Sequence, residues 1–214
     1  KAHPGNPLDS AFHAKLIEYY KLYNLIGGMP EIVQSYINEH NLLKCQTLLN
    51  AIITTLKDDF RKYKTRSPVI LLNEVFESVA FQSGCKFKYS HVSSGSSHRV
   101  LKTALQLLIE AGIAIPVYHS SSNGIPLGAQ MNPKKFKVIL FDIGIHQQLM
   151  KLDISKFIVT DDFNAINKGC LAEVFTGLEL LHACSPFRKE DLFYWHREAK
   201  GSNAEIDYVI QKNG

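Results

Sequence analysis

Glu205 and Asp207 stand one residue apart in AEIDYVI, the otherwise apolar, strand-forming end of the stretch LFYWHREAKGSNAEIDYVI that runs from Leu192 to Ile210. Side chains of a strand alternate between faces, so Glu205, Asp207 and Val209 point one way and Ile206, Tyr208 and Ile210 the other. The two carboxylates are then about 7 Å apart and repel by about 2 kcal/mol at an effective dielectric near 20. Water relieves that repulsion on a half-exposed edge strand; a cation relieves it at a site. A third acid, Glu173, lies between Ala172 and Val174 in the helical pattern NKGCLAEVFTGLELLHAC. There a carboxylate is costly if buried without a partner and favourable if it faces water near the helix start, where the dipole welcomes it. His196, next to Trp195, is read as a histidine packed in a hairpin in preference to a metal ligand.

A second set of residues is basic. In SHRVLKTALQLLIEAGI the positions Val100, Leu101, Ala104, Leu105, Leu108 and Ala111 form an apolar stripe, while Arg99, Lys102 and Gln106, with His98 beside them, occupy the opposite face. Lys134, Lys135 and Lys137 enter the strand KKFKVILFD that follows. These residue types suit phosphates and base edges. They suit equally the solvated side of an amphipathic helix and a charged edge strand, a reading that Glu110 on the same side favours.

Helices must dominate the first third of the chain. AFHAKLIEYYKLYNLI carries Phe12, Leu16, Tyr19, Tyr20 and Tyr23 at helical spacing, with Asp9 or Ser10 as N-cap and Gly27 and Gly28 as the stop. Pro30 and Glu31 restart a helix whose stripe is Ile32, Val33, Tyr36 and Ile37, and LLKCQTLLNAIITTLKDDFRKY is a third amphipathic segment. ILLNEVFESVAFQSG, the basic helix and the two extended pieces IAIPVYHS and KKFKVILFD then follow, with the turn-rich SSNGIPLGAQMNP between the last two. The order helix, helix, strand, loop, strand fits a winged helix-turn-helix. IGIHQQLMKLDI reads as a helix, the stretch with Asp161, Asp162 and Asn164 as turns, and the Glu173 helix as capped near Asn167.

With 214 residues, 45% hydrophobic and 21% charged, the chain has enough apolar content for a substantial core. A formal charge of +4 is compatible with an anionic partner without establishing one. Cys45, Cys85, Cys170 and Cys184 form no Cys-x-x-Cys pair and no zinc spacing with the nine histidines, so free thiols in a reducing cytoplasm are expected. No secretory signal opens the chain and no apolar run is long enough for a membrane span, so no membrane partner is expected. Neither G-x-S-x-G nor G-x-x-x-x-G-K-[ST] occurs, and no glycine is followed by lysine.

Three stretches together carry a resemblance: YYKLYNLIGGMPEIVQSYI with DDFRKY after it, KKFKVILFDIGIHQQL, and GCLAEVFTGLEL followed by FYWHREAKGSNAEIDYVI. They resemble the Gly-Gly-x-Pro-Glu segment, the Lys-Phe-Lys strand ending in Asp-x-Gly, and the Gly-x-x-x-Glu helix leading to Tyr-Trp and Glu-x-Asp of the C-terminal region of bacterial and archaeal AAA-type ATPases. That region is catalogued as a domain of unknown function. The resemblance implies an α+β chain: a helical segment over 1–66 following an ATPase domain, a winged helix over 67–150, and the start of a restriction-endonuclease-like α/β core over 151–214. It implies that Glu173 matches the helix acid, Asp207 the first active-site aspartate and Glu205 its neighbour, a set that would hold a divalent ion together with a downstream Glu-x-Lys strand. ATP and magnesium would belong to the parent protein, whose phosphate-binding loop would precede Lys1, and the chain is expected to be a fragment ending before that Glu-x-Lys strand.

The function expected is that of an accessory region of an AAA-type ATPase, associated with nucleic acid through Arg99, Lys102, Gln106, Lys134 and Lys135, with a nuclease-like scaffold that does not catalyse in this fragment. Two alternatives stand beside it: a protein-interaction or self-association module, and part of a divalent-metal nuclease using Glu173 and Asp207.

Overall fold

A computed structural model of the chain describes residues 8–92, 95–151, 169–183, 191–199 and 202–211. Among them the protein is mixed α+β, with seven α-helices and one four-stranded sheet. They group into two compact units, one drawn from Lys1–Ile53 and Asp142–Ala165, the other from Thr54–Phe141 and Ile166–Gly214.

The first unit is helical. Helix α1 (Ser10–Ile26) begins where the Asp9 side chain accepts from the Ala11 N–H at 2.9 Å, and it ends where Gly27, at φ +72°, donates its N–H to Tyr23 O. Only its last turn is buried, through Asn24, Leu25 and Ile26; Phe12, Leu16 and Tyr19, read from the sequence as an apolar stripe, are exposed. Helix α2 (Pro30–Glu39) has its proline in the first turn and Glu31 beside it, where the missing N–H is harmless and the helix dipole favours an acid. Helix α3 (Leu42–Asp59) contributes Cys45, Leu49 and Ile53 to this core. The segment read as a helix from Ile143 onwards is shorter than expected: α6 covers Ile143–Leu149, and its expected continuation from Leu152 lies outside the described residues.

Two sequence motifs meet in this unit. Asp142 caps α6 by accepting from Ile145 N at 2.9 Å and also accepts from Gly28 N at 2.8 Å, 114 residues away in sequence. A side chain at Gly27 would overlap the Asp142 carboxylate, and a Cβ at Gly144 would lie 2.6 Å from the carbonyl of Ile26. The Gly-Gly and Asp-x-Gly pairs are thus the two halves of one close backbone contact between α1 and α6.

In the second unit a 3-10 turn at Phe60–Tyr63 sets Phe60 edge-on against Phe76 of helix α4 (Val69–Phe81). Helices α4 and α5 (His98–Glu110) pack on each other and on the strands β2 (Met131–Leu140) and β1 (Ala114–Ser120). Helix α7 (Cys170–His182) packs on β2, and β3 (Leu192–Ala199) and β4 (Ser202–Val209) form a hairpin. Residues 152–168, with Asp161, Asp162, Asn164 and the expected cap Asn167, lie outside the described residues, as does Cys184; α7 is preceded by Gly169 at φ +96°.

The sheet runs β2-β1-β3-β4, antiparallel between β1 and β2 and between β3 and β4, parallel between β1 and β3. The helix, helix, strand, loop, strand order read from the sequence is present, yet its β1–β2 hairpin is one side of a larger sheet, because Val117, Tyr118 and His119 pair with Leu192, Phe193 and Tyr194. The other edge of β2 is covered by the segment after α4: Gly84 N–H donates to Val138 O at 2.9 Å and Phe87 N–H to Phe136 O at 3.0 Å. That segment brings Cys85 and Lys86 beside Lys137, with which Lys86 forms an isolated bridge.

Candidate functional site

Lys137 lies in KVIL, the buried end of β2, and its side chain is 3% exposed. Alternation along a strand puts it on the same face as Ile139, which is fully buried, so its ammonium cannot reach bulk water as the neighbouring lysines do. Its Nζ donates to Glu173 Oε2 at 2.7 Å, lies 2.8 Å from Glu205 Oε1, and donates to Asp207 Oδ1 at 3.0 Å. The side chain passes over the Tyr194 ring of β3, with Nζ 5.5 Å from its centroid. One strand, one helix and the β3–β4 hairpin therefore deliver four charges to one point.

Each carboxylate is held there by its element. Glu173 is in the first turn of α7, whose position over the sheet depends on Gly177: a methyl there would overlap the Tyr208 hydroxyl and approach Ile139 Cδ1 to 2.8 Å. Tyr208 in turn donates its hydroxyl to the Glu173 carbonyl at 2.7 Å, and its phenol pKa is held up mainly by burial. Glu205 and Asp207 share a face of β4, as the alternation in AEIDYVI requires. Glu173 is 24% exposed, Glu205 37% and Asp207 55%, so the centre opens progressively to water from α7 to β4.

One ammonium facing three carboxylates leaves two formal negative charges at the centre. Burial would lower the Lys137 pKa, but hydrogen bonds to Glu173, Glu205 and Asp207 outweigh it and hold the ammonium above the ordinary lysine range. Burial pushes the Glu173 carboxyl up, against the pull of Lys137. The two partners thus differ in what the contact does for them. The lysine's direction governs, because its single buried nitrogen meets three acceptors while each acid meets it with one oxygen.

The arrangement fits an ammonium better than a divalent ion, since the oxygens that would ligate a metal already receive the Lys137 protons. His196, weighed above as a ligand or a packed residue, has Nε2 2.9 Å from Lys86 Nζ and lies in the β3–β4 hairpin.

The centre forms part of a cavity of about 490 Å³ whose lining includes Lys86, Lys88, His91, Lys137, Glu173 and Glu205. A second cavity, about 220 Å³, is lined by Lys86 together with Lys134, Lys135, Phe136, Tyr194 and His196. Lys86 lines both, so that besides Lys137 four lysines, Lys86, Lys88, Lys134 and Lys135, border the two openings. Arg99, Lys102 and Gln106 are exposed on α5, as expected of that face, and Gln106 lies 3.4 Å from Glu110. His98 at the start of α5 contacts Tyr89, whose ring in turn meets Phe136. Glu173, Glu205 and Asp207 are therefore brought together, while the basic residues read from the sequence divide between α5 and β2.

Sequence reasoning missed Lys86, Lys88 and His91, which lie in the serine-broken stretch after α4 and carry no periodic signal. It also placed Lys137 with the surface lysines of β2; the signal against that was its phase with Ile139 in an apolar run.

Residues 17–156 match a family described as a domain of unknown function, DUF8612, a span that includes Lys137 and ends before the three carboxylates. No curated protein and no solved structure matches the chain.

Proposed function

The chain belongs to this family of unknown function, and from its geometry we propose that it is a nucleic-acid-associated module whose acid–lysine centre is a nuclease-like scaffold closed by its own ammonium. The observation that carries the reading is the convergence of Lys137, Glu173, Glu205 and Asp207 at a cavity bordered by Lys86, Lys88 and His91. A helix acid and a strand aspartate beside a lysine are the ingredients of a phosphodiester-cleaving centre, in which carboxylates hold a metal and lysine steadies developing charge. Here the lysine engages the acids themselves. A phosphate backbone lying along Lys88, Lys86, Lys134 and Lys135 would meet ammonium groups and be positioned without being cut. The finer fold reading, a winged helix joined to a restriction-endonuclease-like core, is supported by the element order from α4 to β2 and by the helix–hairpin origin of the acids. Attachment to an AAA-type ATPase is supported by the three motif stretches of the sequence, two of which meet at Asp142 and Gly28.

The test is binding of duplex and hairpin DNA followed by fluorescence anisotropy over a salt series, with magnesium or manganese added in parallel to look for cleavage. Affinity falling steeply with salt, without cleavage, is the expected result. Binding that is absent or insensitive to salt overturns the nucleic-acid reading, and metal-dependent cutting that Asp207→Asn abolishes replaces the closed scaffold with a working nuclease.

A second reading, a protein-interaction or self-association module, is favoured by the exposed Phe12, Leu16 and Tyr19 on α1. Light scattering that shows stable self-association indifferent to DNA would put it first.

A further inference from the structure

We propose that Cys85 and Cys170 form a thiol–disulfide modification site whose oxidant is a low-molecular-weight disulfide of the glutathione class. Their sulfurs lie 3.2 Å apart although 85 residues separate them in sequence. Neither residue is buried as a whole, Cys85 being exposed and Cys170 partly so, in contrast to Cys45 in the helical core. This inference is independent of any nucleic-acid role.

Backbone contacts hold the two sulfurs in register. Cys85 belongs to the segment hydrogen-bonded along the edge of β2, and Cys170 is the first residue of α7. Between them Gly84, at φ +81°, lets the two segments touch, since a Cβ there would lie 3.0 Å from Cys170 O and 3.2 Å from Glu173 Cβ. A disulfide requires about 2.05 Å between its sulfurs, so closing the pair asks for a shift of about 1 Å at a contact that already exists. The bond would join the wall of the larger cavity, which Cys85 lines, to the helix that presents Glu173 to Lys137.

The chemistry balances with one equivalent of oxidant. A protein thiolate attacks one sulfur of oxidised glutathione, the glutathione S–S bond breaks, and a glutathione thiolate leaves. The other protein thiolate then attacks the mixed disulfide at the protein's own sulfur, and the second glutathione departs. Two protein thiols lose two protons and two electrons, and one oxidised glutathione becomes two reduced ones. Burial is the main influence that pushes the Cys85 thiol up to about 11; Cys170 and Glu173 act in the same direction and Lys137 against them. At neutral pH the exchange is therefore slow, and the state of the pair has to be read at equilibrium.

The experiment uses the full chain carrying Cys184→Ser, so that Cys170 is the one thiol on the tryptic peptide Gly169–Arg188. After equilibration with excess oxidised glutathione and alkylation of remaining thiols, the expected product is that peptide cross-linked to Ser67–Lys86, two hydrogens lighter than the separate pair. In a Cys85→Ser variant Cys170 has no resolving partner and is expected to remain as its glutathione adduct. Separate glutathione adducts on Cys85 and Cys170 in the parent chain, or two alkylated thiols, overturn the proposal.

Discussion

Lys137 shows how far one side chain can redirect a site. Glu205 and Asp207 were legible as a same-face pair because strand alternation is a local rule, and Glu173 was legible as an anomaly in an apolar helix. Their common partner was not recognised, because nothing local links position 137 to 173 or 207; only the fold does. Replacing Lys137 with methionine keeps the volume and leaves three carboxylates facing one another. We expect Lys137→Met to lower stability by about 2–3 kcal/mol in urea unfolding, short of the roughly 3–5 typical when a fully buried pair loses one member. The discount arises because Glu205 and Asp207 keep access to water. Asp207→Asn, which touches the most exposed of the three, should cost less than about 1 kcal/mol. The pH dependence has a definite sign. The folded-state pKa of Lys137 is raised, so its contribution is fully present below the unfolded lysine value of about 10.4 and is lost as pH climbs from there through the folded value. The stability gap between the parent chain and Lys137→Met, followed by denaturant titration from pH 7 to 11, should stay level to about pH 10 and then narrow. A gap that closes between pH 7 and 9 would mean that the ammonium is not held by its three acceptors.

At the scale of elements, glycines govern the approaches. The helix stop at Gly27 and the Asp142–Gly144 turn were each readable in the sequence, the first as a helix terminator and the second as a strand end. That they touch was not, since 114 residues separate Gly28 from Asp142. Asp142 satisfies two backbone donors, one within its own helix cap and one on the far segment. Asp142→Ala strands both, the Ile145 donor in a buried setting and the Gly28 donor in a part-buried one, and should cost about 1–3 kcal/mol, whereas Asp142→Asn retains an acceptor oxygen and should recover part of that loss in the same denaturation assay. Gly177 does the corresponding work for α7. Alanine is the better helix former by about 1 kcal/mol, yet here its methyl would displace the Tyr208 hydroxyl from the Glu173 carbonyl. We expect Gly177→Ala to destabilise by about 1–2 kcal/mol net, overpacking outweighing propensity, and to show it as a lower urea midpoint with unchanged slope. A stabilised Gly177→Ala protein would mean that α7 stands further from the sheet than the Tyr208 contact implies.

Across the whole molecule, the α+β character and most helix positions followed from periodicity, while the sheet order did not, because β1 pairs with β3 across a long stretch of intervening chain. The same non-locality hid the charge pattern. A formal charge of +4 over 214 residues says little until it is known which lysines share a surface. Lys134 and Lys135 were read from β2, but Lys86 joins them at one cavity and continues to Lys88 at the next, while Lys137 is withdrawn into its carboxylates. Two basic surfaces remain as candidates for phosphate contact: this lysine row, and Arg99 with Lys102 on α5. Counterion release distinguishes them, because each phosphate neutralised by a side chain contributes close to one unit to the slope of log K against log salt. Lys86→Ala combined with Lys88→Ala should weaken DNA binding uniformly across sequences and reduce the slope by about 2. Arg99→Ala with Lys102→Ala should do the same if the helix face lies on the duplex, and should leave the slope untouched if the backbone follows the cavities alone. Slopes unchanged by both pairs and by Lys134→Ala with Lys135→Ala would remove both surfaces from the interface, and with them the reason for reading the acid–lysine centre as a neighbour of phosphate.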